Sequence, residues 1–199
     1  MKRKIQIFAA CACALALSSG CSFSLRSLLS DKPPEVNYFV LGADAPFADA
    51  NEKTLPRIPF ARISIPSYLD VPQLVTRDGS RVERDERNRW GEPLARAFAR
   101  ELELRSAAAF AEKNKSVAEN KRVRVSVERF DGAPDGSVEL AAVITVETVV
   151  AAGVPSPAAV SKFFKTSKLV GEPNDGAAYV VALDAALTEL ARAVADSLE

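Results

Sequence analysis

Histidine is absent from this sequence, and all three cysteines lie at or before position 21. The first absence removes the commonest general base and the commonest transition-metal ligand. The second leaves no thiol nucleophile and no disulfide for anything downstream. There is no G-x-S-x-G elbow, no phosphate-binding loop and no G-x-G-x-x-G, so the chain is not read as a hydrolase of that kind or as an ATPase. Charge of one sign is also missing, with 26 Lys and Arg against 26 Asp and Glu. Without a basic excess there is nothing to track a phosphate backbone, and nucleic acid is excluded as a partner. Glu83, Asp85 and Glu86 form the densest carboxylate group, but Arg81, Arg84, Arg87 and Arg89 are interleaved with them. Alternating charge of that type reads as a solvated face and not as a glycosidase pair. No catalytic residue, metal site or cofactor is expected.

What is present begins with a processing segment. Lys2, Arg3 and Lys4 precede the apolar run Ile5 to Leu17, which is shorter than the roughly 20 residues a bilayer span needs. Ser18-Ser19-Gly20-Cys21 follows, small residues leading into a cysteine. We read residues 1–20 as a lipoprotein signal peptide and Cys21 as the lipid attachment site. Ser18 stands where leucine is the commonest lipobox residue. Acyl chains on Cys21 would hold the protein on a membrane, at about 0.8 kcal/mol per buried methylene. Ser22 follows the anchor, where an Asp would favour retention at the inner membrane, so the periplasmic face of the outer membrane is expected. Cleavage removes three positive charges and no negative one, leaving the mature chain mildly acidic. Residues 21–35 are expected to be the lipidated cysteine and a tether, about 50 Å long when pulled straight. Phe23, Leu25, Leu28 and Leu29 make this arm apolar for a free linker.

Residues 36–199 read as a single α+β domain. Strands are expected at Val36–Leu41 and Phe60–Ile65, with loop from Gly42 to Arg57. Asp78 and Gly79, between two strand-like runs, signal a tight hairpin with both in the turn. Asn88 is a plausible N-cap, with Glu92 and Pro93 in the first turn of a helix reaching about Phe110. Trp90, Leu94, Phe98 and Leu102 would share its buried face. Glu92–Arg96 and Glu101–Arg105 pairs would lie on its exposed side. Val123, Val125 and Val127 alternate with polar residues in the next strand, which places Phe130 on the opposite face. Two more strands follow, around Val138–Val146 and Val160–Val170. A last helix, Ala177–Ser197, carries Val180, Leu183, Leu187, Leu190, Val194 and Leu198 as its stripe. The expectation is a mostly antiparallel sheet with both long helices packed on one face as a two-layer sandwich. The other face, with Arg122, Arg124, Glu128, Glu139 and Glu147, would stay wet.

Three pieces in order carry a likeness. They are Tyr68-Leu69-Asp70, then Pro72-Gln73-Leu74-Val75-Thr76-Arg77, then Asn88-Arg89-Trp90-Gly91-Glu92-Pro93-Leu94. With Tyr38-Phe39-Val40-Leu41 upstream, the chain resembles the ABC-type transport auxiliary lipoprotein family from about Tyr38 to the last helix. The resemblance implies a docking or assembly component, not an enzyme. Its partners would be the membrane, through the lipid anchor, an MCE-domain protein, and an ABC permease and ATPase. The cargo would be lipids or other hydrophobic molecules moved between the two membranes. A ring of identical subunits is one arrangement such docking allows. Tyr68, Leu69, Gln73, Arg77 and Trp90 are the candidate partner contacts. Tyr68 and Leu69 read equally as a buried plug and Trp90 as a core anchor. The alternative function is a lipid-binding carrier, which requires an apolar cavity between helices and sheet.

Overall fold

The computed structural model describes residues 35–43, 55–113, 120–152, 154–170 and 175–198. Everything in it is arranged about one strand, β5 (Lys121–Gly132). Its sequence alternates cleanly, so Val123, Val125 and Val127 are buried while Arg122, Arg124, Ser126 and Glu128 are exposed. Along one side β5 pairs antiparallel with β6 (Ser137–Thr148), and β6 pairs with β7 (Val160–Leu169). The other side is shared. Strand β2 (Phe60–Ser64) runs parallel to residues Val123–Ser126, and β3 (Gln73–Asp78) meets β5 at Thr76 opposite Gly132. Beyond β3 come β4 (Arg81–Trp90), antiparallel to it, and short β1 (Asn37–Phe39), parallel to the end of β4. The result is an open, mixed sheet that is mostly antiparallel, with two helices: the expected α+β class.

A β-bulge between Val127 and Arg129 decides which side chains face the core. One extra residue resets the alternation. Phe130 therefore returns to the valine face instead of lying opposite it, as simple alternation predicts. It is buried there against Phe98 of α1 (Leu94–Ala111), ring centroids 5.0 Å apart and planes at 82°. Such an edge-to-face pair contributes about 0.5–1.5 kcal/mol beyond its buried area. The bulge turns Arg129 and Asp131 to the opposite face.

The first helix starts later than the sequence suggests. Asn88 does not cap it; Asn88 is still in β4, beside Asn37, whose Nδ2 donates to its Oδ1 at 3.0 Å. The chain is held extended there because Trp90 N–H donates to the Pro72 carbonyl and Gly91 N–H to that of Phe39. Pro93 stands at the N-cap and supplies no side-chain cap. Glu92 reaches Arg100 with two hydrogen bonds, of 2.9 and 2.8 Å, instead of Arg96. Trp90 is thus a strand residue in the core, not the head of a helix face. The hairpin also shifts by one. Asp78 and Arg81 form the last strand pair, and the turn is Gly79-Ser80, with Gly79 at φ +56°.

The second helix, α2 (Gly176–Ser197), matches expectation closely. The Asp175 carboxylate caps it by accepting from Ala177 N–H at 2.8 Å. Val180, Leu183, Leu187, Leu190, Val194 and Leu198 are all buried. They form one core cluster with Phe98 and Leu102 of α1, the β5 valines, and Val138, Leu140 and Ile144 of β6. Among the described residues no helix is long and apolar enough to cross a membrane.

The contact between the helices contains charge. Arg105 is 1% exposed, so the Glu101–Arg105 pair is buried and not on the exposed side. Its Nη2 donates to Asp184 Oδ1 at 2.6 Å and to Glu101 Oε2 at 3.3 Å. Its Nη1 donates to the Asp184 carbonyl at 2.9 Å and to Thr188 Oγ1 at 2.6 Å. Gly42 N–H donates to the same Asp184 carboxylate at 2.9 Å, tying the end of the β1 segment to α2. Gly42 has φ +81°, and a Cβ there would stand 2.3 Å from Glu101 Oε2.

Candidate functional site

Between β2 and β3 the edge of β5 has a notch, because the first strand pairs with residues 123–126 and the second only at Gly132. The segment Ile65–Pro72 fills it. Two prolines keep this segment from forming a ladder of its own. Pro66 carbonyl and Leu69 N–H close a turn at 3.0 Å, which sends neighbouring side chains in different directions. Leu69, at 1% exposure, goes into the core. Tyr68 goes to the opposite sheet face and donates its hydroxyl to Asp131 Oδ2 at 2.6 Å.

Asp131 is the centre of this site. It is fully buried, on the face away from the helices. A carboxylate taken out of water must be surrounded by donors. Arg129 supplies two, from Nε at 2.9 Å and Nη2 at 2.7 Å, and Tyr68 the third. Arg77 Nε approaches within 3.5 Å, and its guanidinium lies 5.6 Å from the centre of the Tyr68 ring. Arg129 also pairs with Glu139 of β6, which Lys165 of β7 approaches at 3.5 Å. A continuous row of charge therefore crosses β3, β5, β6 and β7. Burial pushes the Tyr68 hydroxyl well above its ordinary pKa, and the bond to Asp131 raises it further. The phenol stays protonated and remains a donor. On α2, burial likewise raises the Tyr179 hydroxyl, which hydrogen-bonds the Val75 carbonyl behind the same edge.

This arrangement positions side chains on the sheet face. Asp131 accepts from Arg129 and Tyr68, which are held in place by it. Among the described residues no cluster of three His, Cys, Asp or Glu could hold a metal. Of the five candidate contacts, Tyr68, Gln73 and Arg77 are half-buried, and Tyr68 and Arg77 lie against each other. Leu69 and Trp90, the latter at 7% exposure, lie in the core. Cys21 lies outside the described residues. Sequence reasoning named Glu139 only as part of a wet face and missed Asp131 and Arg129. The Tyr68 partner of Asp131 is 63 residues away, and no local spacing signals that contact.

The space between helices and sheet is filled by Phe98, Leu102, Phe130, Leu140, Leu183, Leu187 and Leu190, all at 1% exposure or less. Clefts lie at the surface of the described residues, among them one of about 470 Å³ lined by Ile63, Ile65, Ser67, Asp70 and Ala95. One of about 970 Å³ runs beside α1, its walls mixing Leu55, Ile58 and Phe60 with Arg57, Arg100, Arg122 and Glu103. Another of about 350 Å³ lies at the start of α2, lined by Leu74 and Tyr179 together with Glu83, Asp85 and Asp135.

The fold has solved counterparts. One is an uncharacterised protein, 14% identical, with a TM-score of 0.59 over 83% of this chain and 99% of its own. Another is a Xanthomonas campestris protein assigned to the family DUF330. It is 18% identical, with a TM-score of 0.53 over 81% of this chain and 90% of its own. At these identities both speak to the fold alone. No curated protein matches the chain in sequence. The family model for the ABC-type transport auxiliary lipoprotein component matches residues 39–195, from β1 almost to the end of α2, and the chain belongs to that family.

Proposed function

We propose that this protein is a lipid-anchored docking subunit of an ABC-transporter system that moves lipids or other hydrophobic molecules between the inner and outer membranes. Cys21 carries the acyl chains, and the domain stands on the periplasmic face of the outer membrane. Its partner there is an MCE-domain protein served by the permease and ATPase. The chain has no nucleotide motif, so the energy comes from those partners. The observation that carries the reading is the family match over residues 39–195, an auxiliary component of ABC-type transport and not an enzyme class.

Within that reading, Tyr68, Gln73 and Arg77 form the contact edge. The support for this is rigidity at an otherwise solvated surface. Tyr68 is fixed from below by Asp131 and from the side by Arg77, so a partner meets a preorganised aromatic and a guanidinium. Arg and Tyr are the side chains most often central to binding energy at interfaces, and preorganisation removes much of the cost of ordering them. The carrier alternative gains no support from the core, whose interlayer space is occupied by side chains.

The test is affinity capture of the native protein from detergent-solubilised envelopes, with Cys21→Ser in parallel. The expected result is an MCE-domain protein recovered with the native chain, together with palmitate labelling that the variant loses. Unchanged labelling in the variant, or capture without any MCE-domain or permease subunit, contradicts the proposal.

A further inference from the structure

The far end of the sheet is built differently from the Tyr68 edge. Strand β7 pairs with β6 along its whole length, from Leu169 opposite Ser137 to Val160 opposite Val146. Among the described residues no strand pairs with its other side. Val170 N–H donates to the Gly136 carbonyl at 3.0 Å, which fixes the parity of the ladder. Residues 168, 166, 164 and 162 direct their backbone groups at β6, and Ser161, Phe163, Lys165, Ser167 and Leu169 direct theirs outward. Such an edge is a template for another strand, and proteins usually blunt it with proline, a bulge or charge. Here Val160–Leu169 holds no proline and its register with β6 is unbroken, so charge, from Lys162, Lys165 and Lys168, is the one of these devices it carries.

The side chains are equally unusual. Phe163 and Leu169 are 61% and 82% exposed, and Val160 at the strand's start is also exposed. Phe163, Lys165 and Leu169 share the face away from the helices, opposite Val143, Ala141 and Ser137. The charge on the strand is of one sign, with Lys162, Lys165 and Lys168 and no carboxylate between Ala151 and Val170. Lys168 is held by Glu189 and Lys165 approaches Glu139, whereas Lys162 has no ion-pair partner among the described residues. Pairing of β7 with β7 of a second copy centred on Lys165 would set Lys165 against Lys165 and Lys162 against Lys168, which cross-strand pairing penalises.

We propose that the open edge of β7 receives an extended acidic and apolar segment of a protein partner as an added strand. Backbone hydrogen bonds to Ser161, Phe163, Lys165, Ser167 and Leu169 supply the attachment, and side-chain chemistry supplies the choice of partner. Apolar residues of the incoming strand sit against Phe163 and Leu169, and carboxylates sit against Lys162 and Lys165. This surface lies across the sheet from Tyr68 and meets the row of charge that starts there at Lys165, 3.5 Å from Glu139.

The probe is a labelled synthetic peptide, Val at the positions facing Phe163 and Leu169, Glu at those facing Lys162 and Lys165, and Thr elsewhere. Its twin carries Lys in place of Glu. Binding to the full-length protein in detergent is read by fluorescence anisotropy, and backbone protection by hydrogen exchange. The Glu peptide is expected to bind at least tenfold more tightly than its twin and to slow exchange at Phe163, Lys165 and Ser167. Ser167→Pro removes one outward N–H and leaves the β6 ladder untouched. It should cost at least tenfold in binding, with the amides of Phe164, Thr166 and Lys168 still protected. The surface variant Lys162→Glu/Lys165→Glu should reverse the peptide preference, an independent reading should the proline impair folding. Equal binding of the two peptides overturns the proposal. So does protection of the outward amides in the free protein, whether a second copy or the chain's own arm provides it.

Discussion

Replacing Arg105 by Met removes a cation from the contact between α1 and α2 and leaves the volume nearly filled. The native guanidinium makes four hydrogen bonds, to Asp184 Oδ1, the Asp184 carbonyl, Thr188 Oγ1 and Glu101 Oε2. After substitution Glu101 keeps Arg100 Nε at 3.2 Å, and Asp184 keeps Gly42 N–H at 2.9 Å. Each carboxylate thus retains one donor, and neither is wholly stranded. Breaking a buried pair from one side costs about 3–5 kcal/mol, and the surviving donors place this case near 3. That is a large part of the roughly 5–15 kcal/mol that holds a domain folded. With a urea slope of about 2 kcal/mol/M, the unfolding midpoint falls by about 1.5 M. The control is the triple variant Arg105→Met/Glu101→Gln/Asp184→Asn. Neighbours in one network are not additive, and neutralising both carboxylates should recover at least half of the loss. A midpoint shift under about 0.3 M, or a triple variant no more stable than the single, would refute the claim that charge compensation joins these helices.

Other perturbations probe the remaining joints. Tyr68→Phe deletes the hydroxyl that Asp131 accepts and should cost about 1.5–3 kcal/mol in urea unfolding, the range for hydrogen bonds to a charged group. The same change in an Asp131→Asn background should cost clearly less. Gly42→Ala forces a side chain into a left-handed backbone position and against Glu101, so thermal unfolding should show a loss of about 1–3 kcal/mol. Hydrogen bonds from Lys168, then Thr166, hold the Glu189 carboxyl below its ordinary pKa. A depressed folded pKa gives stability that is present above the unfolded value and is lost as pH falls through the folded one. Glu189 is more than a third exposed, so Glu189→Gln should cost only about 0.5 kcal/mol at pH 7. That difference should narrow as pH falls through the ordinary carboxylate range and close once pH has passed the depressed folded value, in a pH series of unfolding curves.

Much of the scaffold was legible from local pattern. The β5 valines and the α2 stripe from Val180 to Leu198 repeat at the strand and helix periods, and both are buried. The bulge at Val127–Arg129 was not legible, because one inserted residue leaves the composition unchanged while reversing every later side chain. Asn88 misled for a chemical reason. The amide that suits an N-cap equally suits a side-chain bond between neighbouring strands, and only the partner Asn37 decides. Glu101 and Arg105 misled because an i,i+4 pair looks the same on a wet face as between two helices. The missing information was Asp184, 79 residues on from Arg105. The candidate site was half legible. Tyr68 and Arg77 do lie together, and what holds them is Asp131, which no local spacing connects to them.

The docking reading stands or falls on what touches that edge in the cell. A photoreactive amino acid at Gln73 leaves Tyr68, Asp131 and Arg77 as they are, one at Arg77 keeps the Tyr68–Asp131 hydrogen bond but gives up the guanidinium beside it, and Val181, exposed on α2, serves as the control position. After irradiation of intact cells, Gln73 and Arg77 are predicted to crosslink to an MCE-domain protein and Val181 to leave it unlabelled. Crosslinks confined to Val181, or none to any transport subunit from either edge position, would contradict the account.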